Sequence, residues 1–262
     1  MKIIDVHTHI YDEKIFQDYA MKSKKKISKK LVLHSYSIEF DGLIEFINSK
    51  QNLFLVGSVD INQDIGFQLK ILEKLFKEKR LYGIKMHPGY QYFCPSDKFV
   101  WSIAELCQKY DKPLVFHSGD VYDPQNKSLL KYSHPKYIDE LAVKFSNCKI
   151  IISHFGFPYF IETANIVSKN ENVYTDISGT LDKADSKDEE ENMFGQYVAD
   201  LIRVFNYFPD IKKKTMFGTD YSGENTPLNL IEPYIKLVKN VFSKKEQEDV
   251  FYKTAEKVFG LK

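Results

Sequence analysis

The sequence predicts an α/β protein, a (β/α)8 TIM barrel, and two observations carry that prediction. Short apolar runs alternate with segments of helical spacing about eight times over the 262 residues. Continuous apolar strands joined by helices are typical of a parallel sheet covered on both faces, and eight repeats over about 250 residues match the size of such a barrel. A doubly wound open sheet is the alternative. No Gly-x-Gly-x-x-Gly turn follows the first strand, which counts against its dinucleotide-binding form.

The apolar runs are predicted to be strands because each is short, rich in branched or aromatic residues, and followed by turn residues. They cover residues 2–10, 31–34, 53–59, 82–88, 113–119, 149–156, 172–178 and 215–220.

The segments between the runs carry helical signals. Residues 66–79 place four apolar side chains on one helical face. Asp41 is interpreted as the N-cap of a helix over residues 41–50, and Ser243 with Glu246 as a capping box near the C-terminal end. Further helices are expected within residues 11–30, 101–107, 137–145, 159–169 and 232–261. The acidic stretch 182–191 is interpreted as a solvated loop or a lid, and it leads into a long helix that is expected to end near residue 207.

Composition excludes several classes of protein. A net charge of +1 gives no electrostatic case for nucleic acid, and no apolar run approaches the length of a membrane span. The three cysteines form no Cys-x-x-Cys pair, which suits a reducing compartment. The first strand begins at residue 2 and leaves no room for a signal peptide. We therefore expect one cytoplasmic domain over residues 1–262, with a homodimer only weakly favoured by the aromatic content.

The first strand carries Asp5, His7 and His9 at alternate positions. Alternate side chains share a face, so the two imidazoles are expected on one side, roughly 7 Å apart. Two histidines at the end of a buried strand are costly unless something pairs with them. A divalent metal ion is the obvious partner, and a histidine pair in a loop after the strand is the alternative.

Polar residues recur where the predicted strands end. They are His7, His9, Lys85, His87, His117, His154 and Asp220, and they include five of the seven histidines. In a barrel the C-terminal ends of the strands form one rim, where active sites lie. Neutral imidazoles with one carboxylate are the ligands of a catalytic zinc or a similar ion. Such an ion lowers the pKa of a bound water and polarises a carbonyl, and Asp220 is the natural group to take the proton.

Together these motifs resemble the amidohydrolase superfamily, in the amidohydrolase-related branch that includes aminocarboxymuconate semialdehyde decarboxylase. The resemblance covers nearly the whole chain and rests on Asp5-x-His7-x-His9 and on residues 83–88, 116–119, 152–156 and 217–221. It implies a barrel of the metal-dependent hydrolase type. It also implies that His7, His9 and His117 bind metal, that Asp220 both touches the metal and handles a proton, and that His154 acts on substrate or water or binds a second ion.

Lys85 is ambiguous. Some two-metal relatives carry a carboxylated lysine near strand four, and a buried lysine with a lowered pKa can accept carbon dioxide because the neutral amine is the reactive form. There are two alternatives: Lys85 is a cation that binds a substrate carboxylate, or it is part of a structural ion pair. We therefore expect one or two divalent ions per chain. Zinc is the first candidate, and manganese and iron are also compatible with these ligands.

The loop after strand four supplies the other candidate substrate-binding residues, His87, Tyr90 and Gln91, although its aromatics are equally compatible with packing of the loop. Asp176 and Asp5 are candidates for orienting a metal-binding histidine. His34 suits either the pocket or a hydrogen-bonded core position.

Three functions remain open. The first is hydrolysis of an amide, ester or lactone of a small molecule by metal-activated water. The second is metal-dependent nonoxidative decarboxylation of a small carboxylic acid. The third is a metal-binding scaffold without catalysis, which would need neither Asp220 nor His154.

Overall fold

The computed structural model describes residues 2–121, 125 and 127–261. Its eight strands are β1 (Ile4–Thr8), β2 (Lys29–Leu33), β3 (Leu53–Ser58), β4 (Ile84–Met86), β5 (Leu114–Phe116), β6 (Ile150–Ile152), β7 (Val173–Asp176) and β8 (Thr215–Met216). They lie side by side in chain order, and every neighbouring pair is parallel.

The sheet closes between its two ends. The N–H of Val6 donates to the carbonyl of Phe217 at 3.0 Å, and Thr8 forms a parallel bridge with Tyr221. The chain after β8 thus extends the ladder onto β1. The predicted (β/α)8 barrel is confirmed, and the open doubly wound sheet is excluded.

Helices connect the strands. They are α1 (Glu13–Lys22), α2 (Phe40–Asn48), α3 (Ile65–Lys77), α4 (Lys98–Lys109), α5 (Leu130–Ser133), α6 (Lys136–Lys144), α7 (Phe160–Lys169), α8 (Lys187–Tyr207), α9 (Glu232–Val241), α10 (Lys244–Glu248) and α11 (Thr254–Phe259). No helix in the described part of the chain is long and apolar enough to cross a membrane.

The helix ends follow capping chemistry. The predicted capping box of Ser243 and Glu246 is present at the start of α10. The prediction of Asp41 as an N-cap is wrong, because Glu39 accepts the N–H groups of Asp41 and Gly42, each at 2.7 Å, and α2 starts earlier. α8 begins at Lys187, so the expectation of a loop throughout residues 182–191 is also wrong for their second half.

One buried cluster fills the barrel interior. It takes side chains from seven strands and from the C-terminal end of the chain, and none from α1 to α10. β4 provides Lys85 at the same level, since Lys85 pairs in register with Val115 and, through Val115, with Ile151. Register partners on neighbouring strands share a face. The ammonium of Lys85 therefore occupies an inward position that the other strands fill with apolar side chains.

β1 departs from simple alternation. Its register with β2 shifts between Asp5 and Thr8. Ile4 and Val6 belong to the interior cluster, whereas the carboxylate of Asp5 accepts the hydroxyl of Tyr19, in α1, at 2.7 Å. The expected common face for Asp5 and His7 is therefore wrong. Alternation with Ile4 and Val6 turns Asp5 outwards, and the irregularity after Asp5 lets His7 face the cavity.

Candidate active site

The carboxyl ends of the strands surround one cavity of about 700 Å³. Its lining contains most of the side chains that were predicted to meet at the rim. They are His7, His9, Lys85, His87, Tyr90, His117, His154 and Asp220. Gln91 was predicted with them but is not part of the lining. It is buried, and its side-chain amide donates to Asp60 at 3.2 Å.

A compact group lies at the bottom of the cavity. His7, His154 and Asp220 are buried and bring one ligand atom each within 4.8 Å of one another. His9 adjoins this group through Asp220, whose Oδ1 lies 3.0 Å from Nε2 of His9. His117 adjoins it on the other side, with Nδ1 lying 3.1 Å from Nε2 of His154.

The protonation pattern of this group fits a cation. Nδ1 of His7 lies 3.4 Å from Oδ2 of Asp176, and Nδ1 of His9 lies 3.0 Å from the carbonyl of Leu33. A neutral imidazole carries one N–H, and these acceptors assign it to Nδ1 in both rings. Both Nε2 atoms then present lone pairs to Oδ1 of Asp220.

Oδ1 of Asp220 is buried and has no hydrogen-bond donor among the described residues. Nε2 of His7 lies 3.2 Å away and Nε2 of His9 3.0 Å away. Three electron-rich atoms that converge without a proton between them are mutually repulsive, and a divalent ion between them removes the repulsion. The donor set therefore fits the metal ion predicted from the sequence.

The residues behind the group orient it. Oγ of Ser178 lies 3.1 Å from Nδ1 of His7 and 3.1 Å from Nδ1 of His154. The Ser178 hydroxyl donates to Asp176, and the backbone N–H of His154 donates to the same carboxylate at 3.2 Å. Asp176 was predicted to orient a histidine. Ser178 was missed, although strand alternation places it on the same face as Asp176.

Backbone conformation aims two of the side chains. His154 follows β6 in a short 3-10 turn with φ of 60°, and Asp220 also has φ of 60°. Residues other than glycine rarely adopt this left-handed conformation, and such strain is found mainly where function requires it. Gly179 has φ of +68°, and a Cβ there would lie 2.3 Å from Nδ1 of His154. Only glycine leaves room for that imidazole.

Electrostatics set the charge states of the group. Burial lowers the pKa of His154 to about 4 and lowers the pKa of His7 below its ordinary value, so both imidazoles are neutral at pH 7. Burial alone would raise the pKa of Asp220, but attraction to a proton on His7, His154 or His9 lowers it well below the usual range, so a proton that enters this group goes to an imidazole before it goes to the carboxylate. Neutral imidazoles and an ionised carboxylate are the states in which these groups bind metal.

Lys85 lies beside the same group. Its ammonium donates to Oγ of Ser153 at 2.9 Å and lies 3.5 Å from Nε2 of His7. Burial lowers the pKa of Lys85 to about 8, although Asp176 and Asp220 oppose this shift. The residue is therefore mainly a cation at pH 7.

Other predicted residues take different places. His34 is buried outside the cavity lining and makes two hydrogen-bond contacts, with Oγ of Ser58 at 2.7 Å and the carbonyl of Ile38 at 2.8 Å. It is the core histidine that was one of its two predicted alternatives. Tyr90 lines the cavity with its ring centroid 5.1 Å from that of His117.

Tyr11 was not identified from the sequence. Its hydroxyl lies 2.5 Å from Nδ1 of His9 and donates to the carbonyl of Leu33 at 2.9 Å. Its position two residues after His9, in the same alternation as the histidines, was the available signal.

The chain matches the family model described as amidohydrolase over residues 53–261. No curated protein matches it significantly. Among solved structures, an uncharacterised TIM-barrel protein from Bordetella bronchiseptica superposes with a TM-score of 0.76 at 15% identity, covering 99% of each chain.

Two further solved structures are similar in fold. A probable 2-pyrone-4,6-dicarboxylic acid hydrolase from Acinetobacter baumannii has a TM-score of 0.68 at 13% identity, with 100% of both chains covered. A 5-carboxyvanillate decarboxylase from Novosphingobium aromaticivorans, with bound manganese, has a TM-score of 0.66 at 13% identity and covers 96% of this chain and 81% of its own. The barrel, the buried histidine and aspartate group and the family match agree, and the chain is a member of the amidohydrolase family of metal-dependent enzymes.

Proposed function

We propose that this enzyme is a metal-dependent hydrolase that acts on the amide, ester or lactone carbonyl of a small molecule. The observation that carries the proposal is the convergence of two imidazole lone pairs on Oδ1 of Asp220, which lacks a donor within the described residues. The open cavity above it is about 700 Å³, which is within the range of small-molecule sites.

Zinc is the ion we propose first. His7, His9 and Asp220 would hold it, and His154 and His117 adjoin these residues. Imidazole and carboxylate ligands also suit manganese and iron. When bound, the ion supplies a Lewis acid that polarises a carbonyl and makes a coordinated water more acidic.

The protein supplies the proton transfers. Asp220 is ionised and therefore has a free site for the proton of the attacking water. Its low pKa makes it a weak base, so the transfer depends on the increased acidity of a water at the metal site. His154 is neutral, buried and adjacent, and its Nε2 faces the cavity side of the group beside His117. We assign His154 to hydrogen bonding with the substrate or with the same water. Lys85 is a buried cation, and we assign it to stabilising the substrate oxygen that gains negative charge.

Nonoxidative decarboxylation is the second candidate, and Lys85 is the observation that favours it. A buried ammonium next to the ligand group can hold a substrate carboxylate in place. In that reaction the ion and Lys85 would anchor the substrate, and the carbon that loses carbon dioxide would take a proton from water, relayed by His154 or Asp220.

The test is a panel of lactones, esters, amides and carboxylic acids offered to zinc-loaded and manganese-loaded protein. Hydrolysis incorporates one labelled oxygen from isotopic water into the organic product. Decarboxylation releases carbon dioxide and leaves the organic product unlabelled. We expect labelled product, and loss of turnover in Asp220→Asn with the fold retained. Asp210→Asn, a surface change of the same type, is the control and is expected to stay active. Carbon dioxide release without label supports the second candidate, and full activity of Asp220→Asn contradicts the assigned mechanism.

A further inference from the structure

The cavity is unevenly charged along its depth. Lys85 lies at the bottom, near the ligand group, and is the one lysine or arginine among the lining residues that the structure describes. Asp120 and Asp182 lie at the mouth, where both are exposed. The whole chain has two arginines, Arg80 and Arg203, and neither lines this cavity. Arginine is the usual partner of a substrate carboxylate because it binds both oxygens.

The two mouth carboxylates lack a cationic partner. Across the described residues, neither Asp120 nor Asp182 forms an ion pair with a lysine or arginine. Although Asp182 is exposed at the mouth, partial desolvation raises its pKa, and the charges of Asp220 and Asp120 raise it further. Three carboxylates, those of Asp120, Asp182 and Asp220, therefore face the same space. A substrate with an anionic group at the end away from Lys85 would be repelled by them.

A buried polar atom elsewhere in the cavity lining also points to a bound ligand or water. His87 lines the cavity and is 7% exposed, and its Nδ1 has no hydrogen-bond partner in the described part of the chain. A buried nitrogen left without a partner is destabilising, so such atoms are usually satisfied by water or ligand. Burial lowers the pKa of His87 well below its usual value. The ring is therefore neutral and offers a hydrogen bond rather than a positive charge.

We propose that the substrate carries a protonated amino group at the end away from the reacting carbonyl, held at the mouth by Asp120 and Asp182, with His87 hydrogen-bonded to its polar middle. The inference rests on the proposed metal-centred function, and it names the substrate class as small amino-substituted carbonyl compounds. A second carboxylate on the substrate would meet no cation beyond Lys85.

The test uses binding, so that it does not depend on which reaction the enzyme performs. The probes are three straight-chain hydroxamates of matched length, which chelate the metal ion and end in an ammonium, a methyl or a carboxylate group: aminohexanohydroxamate, heptanohydroxamate and the monohydroxamate of adipic acid. Their dissociation constants for zinc-loaded protein are measured by calorimetry at low and at high salt. We expect the ammonium probe to bind about tenfold more tightly than the carboxylate probe at low salt, with the ratio shrinking as salt is added.

Matched variants assign the effect. In the double variant Asp120→Asn with Asp182→Asn, the dissociation constants of the ammonium and carboxylate probes are expected to become nearly equal. Asp185→Asn with Asp188→Asn removes the same charge from neighbouring exposed positions outside the lining and is expected to keep the ratio. Equal binding of the three probes to the unaltered protein, or tighter binding of the carboxylate, overturns the inference and leaves the metal centre standing. Failure of all three to bind zinc-loaded protein contradicts the metal centre itself, and the inference falls with it.

Discussion

The hydroxyl of Tyr11 lies 2.5 Å from Nδ1 of His9. The same hydroxyl donates to the Leu33 carbonyl, which also lies 3.0 Å from Nδ1 of His9. Tyr11 and Leu33 together keep the proton of His9 on Nδ1 and turn Nε2 towards Asp220. Partners of this kind set both the tautomer and the orientation of a metal-binding histidine.

Tyr11→Phe is therefore expected to weaken zinc binding by about tenfold, since loss of a partner that orients a ligand has effects of this order. The measurement is competition with a fluorescent zinc chelator. Tyr92→Phe also removes a hydroxyl that donates to a backbone carbonyl, that of Lys127, away from the cavity. Its zinc affinity should equal that of the unaltered protein. Equal zinc affinities for both variants would show that Tyr11 does not orient His9.

Two glycines provide a matched pair of alanine substitutions. Gly179→Ala should abolish tight zinc binding, because the added Cβ would lie 2.3 Å from Nδ1 of His154 and 3.0 Å from Oδ2 of Asp220. Gly195 lies within α8 with no atom within 4 Å of an added Cβ. Gly195→Ala should keep zinc binding and raise the free energy of unfolding by about 0.5–1 kcal/mol, because alanine favours a helix. Chemical denaturation and metal analysis of the two proteins check both statements, and an intact zinc site in Gly179→Ala would contradict the first.

Metal content separates the roles open to Lys85. Nζ of Lys85 donates to Ser153 and lies beside a single group of ligand atoms within the described residues. We expect about one ion per chain, and retention of that ion in Lys85→Met. Elemental analysis of protein prepared without chelator is the measurement. Two ions per chain, falling to one or none in Lys85→Met, would instead assign Lys85 to a carboxylated bridge. His7→Ala with His9→Ala should retain no ion.

A pH prediction concerns Lys30, which lies outside the cavity lining. It is 5% exposed, and burial lowers its pKa to about 8, while Asp5 opposes the shift. The unfolded chain then holds more protons than the folded chain between about pH 8 and pH 10.5, so this lysine adds stability as the pH rises through that window. The free energy of unfolding of the unaltered protein relative to Lys30→Met should rise there by at most about 3 kcal/mol. The control is Lys25→Met, which removes the same charge at an exposed position. It tests whether the change of the free energy of unfolding with pH follows net charge alone. A flat difference between the unaltered protein and Lys30→Met would contradict the prediction.

Much of the site was predictable because the barrel orders it. Each of His7, His117, His154 and Asp220 follows an apolar run, and the parallel arrangement of eight strands brings those ends together whatever the loops do. The family resemblance then suggested a role for each residue. Gln91 was expected in the cavity but lies outside its lining, because the direction of a loop side chain depends on tertiary contacts, here a hydrogen bond to Asp60, 31 residues away in the chain.

The sequence by itself determined the alternation of strands and helices, the barrel, and the identity of the residues at its rim, because hydrophobic period and chain order are local properties. Only the tertiary structure decided the register shift in β1, the bridging of two imidazoles by Ser178 and the tautomer that Tyr11 holds on His9. It also decided that two carboxylates at the mouth of the cavity form no ion pair with a lysine or arginine among the described residues. These features depend on side chains that lie far apart in the chain and meet within about 3 Å, the length of a hydrogen bond, so strand pairing and backbone conformation must be known before they can be seen.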